Sequence, residues 1–278
     1  MNALELVKAG RPGEALKALE GDVRKSPADA KLRMFLFQLL SVLGHWDRAL
    51  NQLNVAAEMD AKNLLDAELY RPAIQCEAFR KEVFAGTRVP LVFGEPEEWV
   101  GWMIQANQLQ GQGNFAAAME LRAKAMDAAP GFSGFVDATP FEWVMDADPR
   151  LGPMFEVILN GKYFWVPMSR VASVKIDPPA ELRDVVWTMA HFRWTNGGEA
   201  PALIPTRYPG SESSDARHQL SRQTDWSEPA PGLQVGLGQR LIATDTGDHA
   251  MLEIRNLSAV VDTAGTDAAA PASEGDHA

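Results

Sequence analysis

Three short stretches repeat one pattern at a regular spacing, and nothing else in the chain limits its fold as strongly. "GRPGEAL" begins at Gly10, "GHWDRAL" at Gly44 and "GNFAAAM" at Gly113. Each has a glycine, a proline or aromatic residue two positions on (Pro12, Trp46, Phe115), and an alanine three further (Ala15, Ala49, Ala118). Gly10 and Gly44 are 34 residues apart, and Gly44 and Gly113 are 69 apart, about twice that. Glycine ends a helix readily, and a small alanine lets two helices approach closely. The pattern therefore describes antiparallel helix pairs that stack on one another.

A period of about 34 residues is that of tetratricopeptide repeats. The third copy fits best. Trp102, Ala106 and Leu109 share one face of its first helix, Gly113 breaks the chain, and Phe115 and Ala118 begin the second. Ala125 and Pro130 fall where this repeat type places a small residue and a terminating proline. The first copy ends likewise at Pro27, the second in "EMDAKN" without proline. One slot is overwritten: residues 63–84 read as helix, with Pro72 as a kink or break. "AGTRVPLVFGEPEE" then reads as a loop, and Glu95, Glu97 and Glu98 suit the positive end of the next helix. Residues 1–135 are expected to form a tetratricopeptide-like helical repeat domain.

From about residue 140 the pattern changes to short β-like runs. "FEVILNGKYFWVP" carries Asn160-Gly161 between two apolar runs, a strong hairpin signal. A second hairpin is expected to turn at Asn196-Gly197-Gly198, a third lies in "QRLIATDTGDHAMLEI", and "RVASVKI" supplies one more strand. The expectation for 136–262 is a small antiparallel β-rich domain, open or partly closed into a barrel, with a polar loop over 209–232. Residues 263–278 lack large apolar side chains and read as a disordered tail. The fold class is α+β.

The net charge of −11 argues against nucleic acid or an anionic membrane as the main partner, since both need a basic footprint. Cys76 is the sole cysteine, so no internal disulfide or multi-cysteine metal site can form; its apolar helical context reads as a buried, inert thiol. The N-terminus reads as lacking a signal peptide, and no apolar run approaches a membrane span. A cytoplasmic location is expected.

"FEWVMDADPRLGP" places Glu142, Asp146 and Asp148 within seven positions, as a metal site or a carboxylate pair would. The spacing fits helix capping better: Thr139-Pro140-Phe141-Glu142 reads as a capping box and Asp148-Pro149 as a second helix start. On that reading Phe141, Val144 and Met145 pack inward. The alternative is a hydrolase or metal-dependent enzyme using Asp146 and Asp148, or the His218 region with Ser213, Ser214 and Asp215. No nucleophile elbow frames either serine. Asp245-Thr246-Gly247, a triplet aspartic proteases use, sits where a hairpin needs a turn. His191 reads as a satisfied sheet histidine. Gly236 and Gly238 lack the rest of a dinucleotide fingerprint, and "RYPGSESS" reads as a loop. No catalytic residue, metal ligand or cofactor is assigned.

A curved helical repeat leaves an inner groove able to hold a peptide or a single helix. If the first helix of each pair lines it, Met34, Gln38 and Ser41 face it with Met103, Asn107 and Gln110. Methionine and amide side chains suit an adaptable, part-apolar groove. Met103→Glu is then expected to weaken capture while leaving the fold intact. A scaffold that self-associates through exposed aromatics of the β-rich half is a further possibility.

Several longer stretches carry a family resemblance: "YRPAIQCEAFRKEVFAG", "FGEPEEWVGWM", "FEWVMDADPRLGPMFEVILNGKYFWVP", "RYPGSE", "SRQTDW", "GLGQRLI" and "MLEI". With the N-terminal repeats they resemble the ImpE/TagJ family, accessory proteins of the bacterial type VI secretion system, up to about residue 257. The resemblance implies two domains, helical repeat and β-rich, with no enzymatic activity. It also implies binding to the N-terminal helix of the small contractile-sheath subunit, with indirect influence on the hexameric ATPase that recycles contracted sheath. No residue-level motif carries over, so the groove residues stand on the repeat geometry alone.

Overall fold

The computed structural model describes residues 1–260; the expected tail at 263–278 lies outside them. Helices pair as the spacing requires. The helices are α1 (Ala3–Lys8), α2 (Pro12–Lys25), α3 (Ala30–Val42), α4 (Trp46–Met59), α5 (Leu64–Phe84), α6 (Glu98–Gly111) and α7 (Phe115–Ala128). Contacts join α1 to α2, α3 to α4 and α6 to α7. The repeat alanines Ala15, Ala49 and Ala118 are fully buried. Gly44 shows why glycine stands at the turn. Its φ is +70°, and a Cβ there would lie 2.6 Å from Cγ of Glu212. Both the left-handed backbone and the close approach exclude a side chain.

The repeat breaks at α5. A step of 34 residues from Gly44 falls on Ala78, inside α5, where no glycine turns the chain. The helix passes through Pro72 without interruption and continues about two turns beyond Ala78. It packs on α4 and on the strand Lys162–Pro167 rather than on a returning helix of its own. The Asn160-Gly161 turn sits against it, with the Cys76 Sγ 3.6 Å from the Gly161 carbonyl. Burial pushes the Cys76 thiol up to about 12, as expected of an inert cysteine.

The strands are β1 (Leu91–Val92), β2 (Gly134–Val136), β3 (Thr139–Phe141), β4 (Val144–Asp146), β5 (Met154–Leu159), β6 (Lys162–Pro167), β7 (Val171–Ile176), β8 (Trp187–Trp194) and β9 (Glu199–Pro205). After a short helix α8 (Ala216–Gln219) come β10 (Thr224–Ala230), β11 (Leu233–Gly238), β12 (Leu241–Thr244), β13 (Gly247–Ala250) and β14 (Asn256–Ala259). One sheet runs β1-β6-β5-β9-β8-β7-β14-β2-β3; β10-β11 and β13-β12-β4 form two smaller ones. The hairpins at 160–161, 196–198 and 245–246 form as expected.

Three expectations fail in part. A β-rich domain follows the helical repeats as expected, but its main sheet is open and has nine strands, and β1 from the expected loop joins its edge, parallel to β6. The capping box at Thr139 starts no helix, whereas Asp148-Pro149 does open a short turn, with the Asp148 side chain accepting from the Arg150 N–H (2.9 Å) and its carbonyl from the Leu151 N–H (3.0 Å). Thr139–Phe141 pairs with β2 and Val144–Asp146 with β12, so cross-strand bonds displace the local capping box. The segment 209–232 is no plain loop, since it contains α8 and β10.

The middle of the sheet, at β5, is buried on both faces. Along β5, Met154 and Ile158 join an apolar cluster with Phe37, Leu40 and Tyr70 of the helices. Phe155, Val157 and Leu159 join a second cluster with Phe192, Ile242 and Leu257. The first cluster therefore spans both halves of the chain, and stacking the sheet on the repeats buries what three helix pairs cannot bury alone.

Candidate functional site

The expected inner groove is filled by the chain itself. Met34, Gln38, Ser41, Met103 and Asn107 are all buried, and only Gln110 is half-exposed. Gln38 donates from Nε2 to Glu181 (3.0 Å), and the Ser41 hydroxyl donates to the Phe37 carbonyl (2.9 Å). Asn107 donates to the Val83 carbonyl, and Gln110 accepts from Arg122 (2.9 Å). Gly152 closes on Met103 and Met126 so tightly that a Cβ would lie 3.5 Å and 2.9 Å from their methyl carbons. These six residues therefore do not form one open groove, and Met103→Glu would put a charge into the core rather than spare the fold. A signal for this was present: α3, "AKLRMFLFQLLSV", is apolar nearly all round, and such helices are covered on every side.

The acidic cluster is also internal. Asp146 and Asp148 are buried and Glu142 is exposed. Asp146 pairs with Arg240, which also pairs with Glu156; Glu156 in turn pairs with Arg80 of α5. Tyr163 donates its hydroxyl to Glu156 (2.6 Å), and the Trp165 indole donates to Tyr163 (2.9 Å). Asp148 accepts from the Arg150 guanidinium (Nε, 2.9 Å) and from the backbone N–H of Gly236 (3.0 Å). Glu77 accepts from the Trp187 indole (2.9 Å).

Burial works against Asp146, Glu77 and Glu156, and how closely arginines engage each one decides the outcome. Burial pushes Asp146 up to about 6 despite Arg240. Burial likewise raises Glu77 above its ordinary range. Burial also opposes ionisation of Glu156, but Arg80 and Arg240 together hold it below the usual carboxylate range. The network joins α5 to the sheet, and Asp146, Asp148 and Glu156 are committed to arginines, a tyrosine or backbone donors rather than to a ligand. No group of His, Cys, Asp and Glu among the described residues has metal-binding geometry.

The other candidates resolve individually. His218 is buried and takes Ser214 on Nδ1 (2.8 Å) and Asp225 on Nε2 (2.8 Å), while Asp215 caps α8. Ser214 and His218 are four residues apart on one short segment, so the hydrogen-bonded chain ties α8 to β10. His191 is exposed, 3.5 Å from Asp177. Asp245 occupies the hairpin turn and accepts from the Glu142 N–H (2.7 Å). Gly236 lies in β11, where a Cβ would strike the Tyr208 ring.

An open site lies at the seam. A cleft of about 1160 Å³ runs between the α3–α4 turn, the second half of α5 and residues 209–213. Along the same seam, arginines from the β-rich half meet helix ends. Arg207, buried, donates to the Ser41 (3.0 Å) and Val42 (2.7 Å) carbonyls at the end of α3, and Arg222 to Val7 (3.0 Å) and Lys8 (3.1 Å) at the end of α1. Cations at helix C-termini meet the negative end of the dipole and the unpaired carbonyls. Leu43, Trp46, Ala78 and Pro209 give the cleft apolar walls, and charged residues edge it.

Known proteins match both halves. A family described as "ImpE protein" matches residues 138–258, and one described as "Tetratricopeptide repeat" matches residues 6–70. The Pseudomonas aeruginosa protein named type VI secretion system accessory component TagJ is 48% identical over 258 residues, 92% of this chain and 90% of that one. A crystal structure of a Vibrio parahaemolyticus protein superposes with a TM-score of 0.86 at 25% identity, covering 94% of this chain and 98% of that one.

Proposed function

The chain belongs to the ImpE/TagJ family of type VI secretion accessory proteins, and from that premise we propose that it is a non-catalytic adaptor. It captures the N-terminal helix of the small contractile-sheath subunit and, through that contact, influences how the recycling ATPase handles contracted sheath in the cytoplasm. The observation that carries the reading is the 48% identity across nearly the whole of both chains. The burial of Asp146, Asp148 and Glu156 among arginines supports a structural over a catalytic role for the acids. No described helix is long and apolar enough to cross a membrane.

A pull-down tests this directly. The full-length chain should retain a synthetic peptide of the small sheath subunit's N-terminal helix in the micromolar range. Absence of binding at tens of micromolar would remove the adaptor reading.

A further inference from the structure

The adaptor reading leaves open where a partner helix could sit once the inner groove is filled. Resting on that reading, we propose that the seam cleft is the docking site and that its occupant is an amphipathic helix with basic residues beside its apolar stripe. The shape follows from the broken repeat. Because α5 runs past Ala78 instead of turning back, its last two turns overhang the α3–α4 turn and form one wall. Residues 209–213 form another, held by Ser211, whose hydroxyl donates to the Tyr208 carbonyl (2.6 Å). The volume of about 1160 Å³ is enough for nearly three turns of helix, at about 400 Å³ each.

Apolar contact would come from Leu43, Trp46, Ala78 and Pro209, with Trp46 and Ala78 accessible from solvent. The charges around them are unbalanced. Among the cations at the cleft, Arg80 is engaged by Glu156 and Arg48 by Glu20; among the anions, Glu82 pairs with Arg88. Asp47 and Glu212 have no cation partner among the described residues. Glu77, at the cleft floor, has one oxygen on the Trp187 indole and the other a long 3.4 Å from Arg80. Lys81 and His45 also line the cleft, and the buried Arg207 acts on Glu77 and Glu212 from behind, so exposed Asp47 and half-buried Glu212 are the carboxylates presented to an incoming cation, in a chain of net charge −11.

The test uses the full chain and a fluorescein-labelled synthetic peptide of the small sheath subunit's N-terminal helix, read by anisotropy. Ala78→Arg, on an exposed helical position, should weaken binding about 10-fold or more without changing the melting temperature. Asp47→Asn should weaken it less and flatten its salt dependence. Leu65→Arg, exposed near the opposite end of α5, should leave it unchanged. If Ala78→Arg binds as tightly as the parent, the cleft is not the site, while the adaptor reading survives. If the parent chain binds no peptide, both fall. A peptide with its lysines and arginines changed to glutamate that binds equally well would overturn the basic character of the occupant.

Discussion

The seam between the helical and β-rich halves is held in two physically different ways. At the first two repeats, Arg222 and Arg207 reach across to the C-terminal carbonyls of α1 and α3. Beneath α5, Arg80 and Arg240 share Glu156, and Arg240 also takes Asp146. The first arrangement is the more modular, because Arg222 meets the end of α1 alone while Arg207 meets the ends of α3 and α8, and no acid is shared between the two arginines. The second is not, because Glu156 is fully buried and pairs with two guanidinium groups at once. A helix end is an invariant feature that a single residue can address, whereas a buried charge needs all of its partners together.

Removing the shared acid should separate the two regions most clearly. Glu156→Gln strands Arg80 and Arg240 and is expected to cost about 3–5 kcal/mol, measured by urea unfolding. A loss below 1 kcal/mol would mean that the network is not structural. Asp146 sharpens the point through pH. Its folded pKa of about 6 exceeds the unfolded value near 4, so the folded state holds the extra proton between them. Its contribution is fully present below about pH 4 and is lost as pH rises through about 6. Parent stability relative to Asp146→Asn should fall over that window by on the order of 2–3 kcal/mol, and a flat difference would contradict the assignment.

The modular side should show smaller and independent effects. Arg207→Met leaves two buried carbonyls of α3 short of a donor and should cost about 2 kcal/mol. Arg222→Ala, at an exposed helix end, should cost below about 1 kcal/mol. The double variant should lose the sum of the two. Coupling well beyond additivity would show that the helix ends act together.

How much of this was legible depended on sequence distance. The helix pairs announced themselves because glycine, aromatic and alanine act within one turn of each other, and the hairpin at Asn160-Gly161 did so for the same reason. The 139–148 stretch misled because Thr-Pro-x-Glu is a complete local signal, while the pairing that overrode it joins Val144 to Thr244, far along the chain. Arg80 and Arg240 lie 76 and 84 residues from Glu156, and no local pattern links them. The usable hint was Glu156 itself, a lone charge inside the apolar run "FEVIL". Such a residue in a strand buried on both faces demands a buried counter-charge. The inner groove was misplaced because repeat geometry identifies a face without saying what covers it.

The central claim is that the chain's own helices and turns cover the inner-face residues of the repeats and leave the seam cleft for the partner. Hydrogen exchange on the full chain, with and without the sheath-helix peptide, tests it most directly. The expected result is new protection at 43–48, 78–85 and 209–213, with 34–41 and 103–110 already slow and unchanged. Protection gained instead along 34–41 and 103–110, with none at the cleft, would show that the inner face opens to take the helix and would contradict the account.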